Sequence, residues 1–67
     1  MKKNQAKVVL AFADSDMNIS GTGRKLFLCR STILWYLDAI KRDTGLDPRR
    51  FYELVKLVDM AKRVLAA

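Results

Sequence analysis

The 67-residue chain contains no histidine and only one cysteine. Without histidine the commonest general base and the commonest zinc ligand are both missing, so a histidine-based triad and a zinc site are excluded. A single thiol, Cys29, cannot form an intramolecular disulfide, which fits a reducing compartment. Long apolar runs are missing too. The longest runs from Val8 to Ala13, six residues, where a membrane span needs roughly 20. The N-terminus lacks the apolar region and small-residue cleavage site of a signal peptide. These absences lead us to expect a cytoplasmic protein with no membrane association.

Acidic chemistry is also thin. The seven carboxylates are spread through turns and exposed helix faces, with no close pair in an apolar setting to tune a general acid. Gly21 and Gly23 lack the preceding strand and the Gly-Lys-Ser ending of a phosphate-binding loop. Cys29 is the one candidate nucleophile, and Arg24, Lys25, Arg30 and a helix N-terminus near it can lower a thiol pKa. No base or oxyanion group accompanies it, so the expected role is a small residue at a helix cap, with redox sensing as the alternative. No enzyme activity and no cofactor are expected.

What is abundant is apolar and basic. The apolar fraction is 51%, and 13 Lys and Arg against 7 Asp and Glu give a net charge of +6. The pI is near 9.9. A chain this short makes one domain with a core near the lower size limit. Its basic surface suits a polyanion, nucleic acid first among them, although charge also serves solubility.

Met1 to Gln5 reads as a basic tail and Lys7 to Asp14 as a first helix, with Val8, Val9 and Phe12 inward. Asp14 to Asn18 is turn chemistry, and Asn18 or Ser20 can cap a second helix over about Ile19 to Leu26. A third helix is expected from about Arg30 to Asp43, closed by Gly45. Asp47-Pro48 starts a fourth with a carboxylate cap and proline at the first helical position. No strand alternation or internal repeat interrupts this all-α, four-helix pattern.

The stretch from Gly23 to Leu37 organises the chain as a helix-turn-helix. Gly23 lets two helices approach, Leu26 and Leu28 are expected to bury the corner, and Ile33, Leu37 and Ile40 recur at helical spacing into one core. Arg30, Ser31, Thr32, Leu34 and Trp35 then stand in the first turns of the second helix of the motif, the part that meets base edges. Arg24 and Lys25 lie beside them. Lys41-Arg42 and Arg49-Arg50 flank the Gly45 turn and can clamp phosphates. Lys41-Arg42 equally suits the C-terminal helix dipole, whereas Arg49-Arg50 near a helix N-terminus does not. Trp35 can stack on a sugar or base, or roof the core between the third and fourth helices.

Leu26-Phe27-Leu28-Cys29-Arg30-Ser31-Thr32-Ile33-Leu34-Trp35-Tyr36-Leu37, followed by Thr44-Gly45-Leu46-Asp47-Pro48, resembles the C-terminal helix-turn-helix of PucR-type bacterial transcription regulators. The family's histidine falls on Cys29, its asparagine on Ser31, its usual tyrosine on Trp35 and its arginine on Tyr36. The likeness runs from about Val9 to Leu65. It implies a DNA-binding regulator that reads two half-sites as a dimer. The family carries this domain at the end of a longer sensor protein, so a stand-alone regulator, an accessory of a mobile element and an excised domain all stand open. The competing reading keeps the fold as a protein-interaction module that partners another regulator without touching DNA.

The fourth helix has more apolar surface than one core requires. Phe51, Leu54, Val55, Val58, Ala61 and Leu65 form the expected core stripe, and Leu57, Met60 and Val64 form a second stripe beside it. Together they span very roughly 220°, against about 100° for an ordinary surface helix. The second stripe, Leu57, Met60 and Val64, is the expected homodimer interface.

Overall fold

A computed structural model describes all 67 residues. It holds four helices, α1 (Lys3–Asp14), α2 (Ile19–Leu26), α3 (Arg30–Thr44) and α4 (Phe51–Ala66), and no strand, which bears out the all-α four-helix expectation. No helix is long and apolar enough to cross a membrane.

The organising helix is α1, against which α2, α3 and α4 all pack. Its sequence explains this. Ala6, Val8, Val9, Ala11 and Phe12 are all buried, an arc far wider than the single stripe of a surface helix, because neighbours cover it from several sides. Ile33, Leu37 and Ile40 of α3 and Leu54, Leu57 and Ala61 of α4 complete one contiguous core. Most of α4's tertiary packing is along α1.

The helix starts earlier than the basic-tail expectation allowed. Lys3, Asn4 and Gln5 are helical, and Gln5 is 5% exposed. Its side-chain carbonyl accepts from the Lys2 backbone N–H at 3.0 Å, and its amide donates to Asp43 Oδ2 at 2.9 Å. A buried amide needs such partners, since leaving it unpaired costs about 1 to 3 kcal/mol. The contact fastens the start of α1 to the end of α3.

Asn18 is the cap of α2, its Oδ1 accepting from the Gly21 N–H at 2.8 Å. Gly45 closes α3 in the left-handed conformation at φ 75°, as its position implied. The start of α4 differs from expectation. Asp47 does cap, accepting from the Arg49 N–H at 2.9 Å, but the segment it opens is one turn over Pro48 to Arg50, and α4 begins at Phe51. Pro48 is fully buried there. Glu53 reaches back from α4 to accept from the Asp47 N–H at 2.9 Å and holds the turn against the helix.

The expected division of α4 is corrected by the packing. Leu57, assigned to a dimer interface, is fully buried in the core, and Met60 and Val64 are half-buried against that core. Phe51, Val55 and Leu65, assigned to the core, are 64%, 51% and 36% exposed. The arc is as wide as expected, but α1 covers the Leu57 flank and leaves the Phe51 flank open.

Candidate nucleic-acid interface

Helices α2 and α3 are joined by three residues, Phe27 to Cys29. Phe27 takes the left-handed conformation at φ 56° and ψ 42°, and the Leu28 N–H donates back to the Gly23 carbonyl at 3.0 Å. This is the hydrogen bond of a Schellman-type helix end, which ordinarily places glycine at the left-handed position. Gly23 is required by that same fold-back. A Cβ there would lie 2.6 Å from the Leu28 carbonyl oxygen and 3.9 Å from Ile33 Cγ1. The close approach is thus made by the turn backbone more than by the facing helix.

The corner is less buried than its apolar sequence implied. Leu26 is half-buried against the core, Leu28 is 36% exposed, and Phe27 is 94% exposed. A residue at the left-handed end of a helix points its side chain away from the helix it terminates, so Phe27 stands in solvent beside the start of α3.

Arg30, Ser31 and Trp35 are exposed and Thr32 and Leu34 half-buried, all in the first turns of α3. Trp35 is 60% exposed and packs edge-on against Tyr36, with ring centroids 5.2 Å apart at 77°. It does not roof a seam between α3 and α4. It borders a shallow depression shared with Lys2, Asn4 and Arg42. Tyr36 is half-buried against the core, so the aromatic at that position costs the outer face of α3 little.

Cys29 occupies the cap position of α3 without bonding a backbone amide. Its Sγ lies 3.3 Å from Ser31 Oγ and 3.1 Å from Thr32 Oγ1. The Ser31 hydroxyl first, and then the Thr32 hydroxyl, draw the thiol pKa down from 9.0 to about 7. The hydroxyls of Ser31 and Thr32 are therefore committed locally to Cys29.

The basic residues expected at the interface fall into two groups. Lys41 pairs with Asp47 at 3.7 Å, Arg42 with Asp43 at 3.7 Å, Arg49 with Asp38 at 3.2 Å and Arg50 with Glu53 at 3.8 Å. Each of the four expected phosphate clamps thus has a carboxylate beside it. Arg24, Lys25 and Arg30 have none within ion-pair distance. These three sit on both sides of the turn, at the end of α2 and the start of α3. Lys41 and Arg42 lie some 16 to 18 Å further along α3, by the helical rise. Arg49 has a further role. Asp38 is exposed on the outer face of α3, and the guanidinium at 3.2 Å neutralises it there.

Three polar side chains missed by the sequence reading also border α3. Lys2 and Asn4 line the depression beside Trp35, while Asn4 and Lys7 line a second with Leu28 and Tyr36. The recurrence of Ala6, Val9 and Ala13 at helical spacing was the available signal, since it carries α1 back one turn into the supposed tail. Comparison with family models, curated proteins and solved structures gives no match for this chain.

Proposed function

We propose that the chain is a sequence-specific transcription regulator that binds double-stranded DNA through α2 and α3, in the manner of PucR-type helix-turn-helix domains. It acts in the cytoplasm, without cofactor or enzymatic activity, as a homodimer on two half-sites about one DNA turn apart. The observation that carries this reading is the trio Arg24, Lys25 and Arg30, uncompensated by any carboxylate and set on the two sides of the turn that leads into exposed Ser31 and Trp35. Cations kept free of carboxylates are the arrangement a polyanion requires. Arg30 is the residue for a base edge, and Arg24 and Lys25 are residues for phosphate. Leu34, Trp35 and Phe27 offer apolar contact to thymine methyls and sugars.

Titration against mixed duplex DNA at several salt concentrations tests the proposal. Two neutralised phosphates per protomer, at Arg24 and Lys25, give a slope of log K against log salt of about −1.8, and twice that for a dimer. Arg30→Ala should weaken specific binding by about 1 to 3 kcal/mol and relax one base position, whereas Lys25→Ala should weaken all sequences alike. A flat salt response, or no binding at low salt, favours the second reading, an interaction module for another regulator. The exposed apolar flank of α4 is the observation on which that second reading rests.

A further inference from the structure

One flank of α4 has a regular spacing, exposed at Phe51, Val55, Lys62 and Leu65 and half-buried at Val58. Phe51, Val55, Val58, Lys62 and Leu65 follow one another at intervals of four, three, four and three, the a/d repeat of a helix that packs along a second helix. The core seam of the same helix, Leu54, Leu57, Ala61 and Val64, runs parallel to it and is already covered by α1. A surface helix needs one such seam, and α4 carries two. At its N-terminal half the outer seam opens into an apolar groove of about 360 Å³, where Phe51, Val55 and Val58 face Ala13, Asp16 and Met17 at the end of α1.

Charge selects the occupant. Lys62 is exposed, has no carboxylate partner, and interrupts the seam at its C-terminal end, while Asp16 is the single charged residue lining the groove at the N-terminal end. Two copies laid parallel and in register would set Lys62 against Lys62, two like charges in an apolar seam. Two copies laid antiparallel about a two-fold axis at Val58 pair Phe51 with Leu65 and Val55 with Lys62, and carry each ammonium toward the partner copy's acidic groove mouth. The seam is self-complementary in that one orientation.

We infer that the Phe51 to Leu65 seam of α4 is a homodimer interface in which two copies of this chain pack antiparallel through Val58. It replaces the Leu57, Met60 and Val64 surface expected from sequence. It is independent of DNA binding, since it uses none of Arg24, Lys25 or Arg30. In a dimer held this way the α2–α3 corners remain free.

Sedimentation equilibrium of the full chain without DNA is the test. The unmodified protein should dimerise, Val55→Lys, which would set an ammonium against the partner copy's Lys62, should raise the dimer Kd by about a hundredfold or more with its helical circular dichroism unchanged, and Asp16→Asn should raise it about two- to fivefold. Orientation is read by cross-linking in a Cys29→Ser background. Under mild oxidation Val58→Cys should give a covalent dimer, and Leu65→Cys should not, because antiparallel pairing holds the two Leu65 positions at opposite ends. A monomer at about 200 μM overturns the inference. So does a dimer indifferent to Val55→Lys, or efficient cross-linking through Leu65→Cys. Loss of DNA binding with the dimer intact would instead count against the proposed function alone.

Discussion

Phe27 is the most informative single position in the chain, because its backbone and its side chain make opposite demands. At φ 56° it sits where an L-residue is disfavoured relative to glycine, and its ring is 94% exposed. Left-handed geometry costs roughly 1 to 2 kcal/mol for a residue with a Cβ. Replacement by glycine removes that cost and adds back about 0.5 to 1 kcal/mol for the greater freedom of glycine in the unfolded chain. Almost nothing is lost from burial, since little of the ring is covered. Phe27→Gly should therefore stabilise the domain by about 0.5 to 1 kcal/mol, a rise of ~2 to 8 °C in Tm for a domain of this size. The same change should weaken DNA binding, because strain retained at an exposed position is most readily explained by a contact made outside the chain. Phe27→Asn, which tolerates the left-handed region, should behave similarly. Thermal melts with a duplex titration on the same preparations give both numbers. A Phe27→Gly protein that is less stable by 1 kcal/mol or more would refute the reasoning, since the ring would then have to be packed.

Gly23→Ala should lower stability by about 1 to 2 kcal/mol in a urea melt, because the new methyl meets a backbone carbonyl oxygen at 2.6 Å and the turn must shift, outweighing the better helix propensity of alanine. Leu57→Ala should cost about 2 to 5 kcal/mol, whereas Val55→Ala should stay within about 1 kcal/mol, a contrast that calorimetry can read and that equal losses would contradict. Alkylation of Cys29 by iodoacetamide should accelerate with pH about a midpoint near 7 rather than 9.0, because the thiolate form is the one the neighbouring groups favour. Ser31→Ala should move that midpoint upward, and bound duplex DNA should slow the reaction. An unchanged midpoint in Ser31→Ala would remove the hydroxyl as the cause.

The features legible from sequence were those decided locally. The end of α3 at Gly45 and the start of α2 at Asn18 depend on one residue's backbone freedom or one side-chain oxygen, and both stand where the residue types put them. Asp47-Pro48 shows the limit of such signals. A cap marks where a turn begins, and the contacts beyond it decide whether the turn continues; here the turn stops at Arg50 and α4 restarts at Phe51. Gln5 read as tail because it is polar, and its burial depends on Asp43, a partner 38 residues away in sequence. Leu28 read as corner filling because it is apolar, whereas it is 36% exposed beside a left-handed Phe27 at a position that favours glycine in sequence statistics. The candidate cations divide the same way. Their positions on α2 and α3 were legible, but which of them remain unpaired depends on the carboxylates that folding brings beside Lys41, Arg42, Arg49 and Arg50.

Helix α4 carries this argument furthest. Its wide apolar arc correctly signalled more surface than one core can use, yet a helical wheel gives angles and no neighbours. Choosing Leu57, Met60 and Val64 as the spare flank required knowing where α1 lies, and α1's position is set by the burial of Val8, Val9 and Phe12 among three helices at once. Once α1 is placed over Leu54, Leu57 and Ala61, the remaining flank is fixed geometrically, because seams with the same seven-residue repeat run side by side along one helix. The exposed flank then carries Lys62 within its stripe, and this charge would be an isolated penalty in any apolar packing that did not offer it a carboxylate. That requirement, rather than apolar area alone, separates an antiparallel second copy from a generic hydrophobic partner. It also makes Lys62→Glu a sharp variant, since a second carboxylate beside the partner copy's Asp16 should dissociate the dimer more strongly at low salt than at high salt.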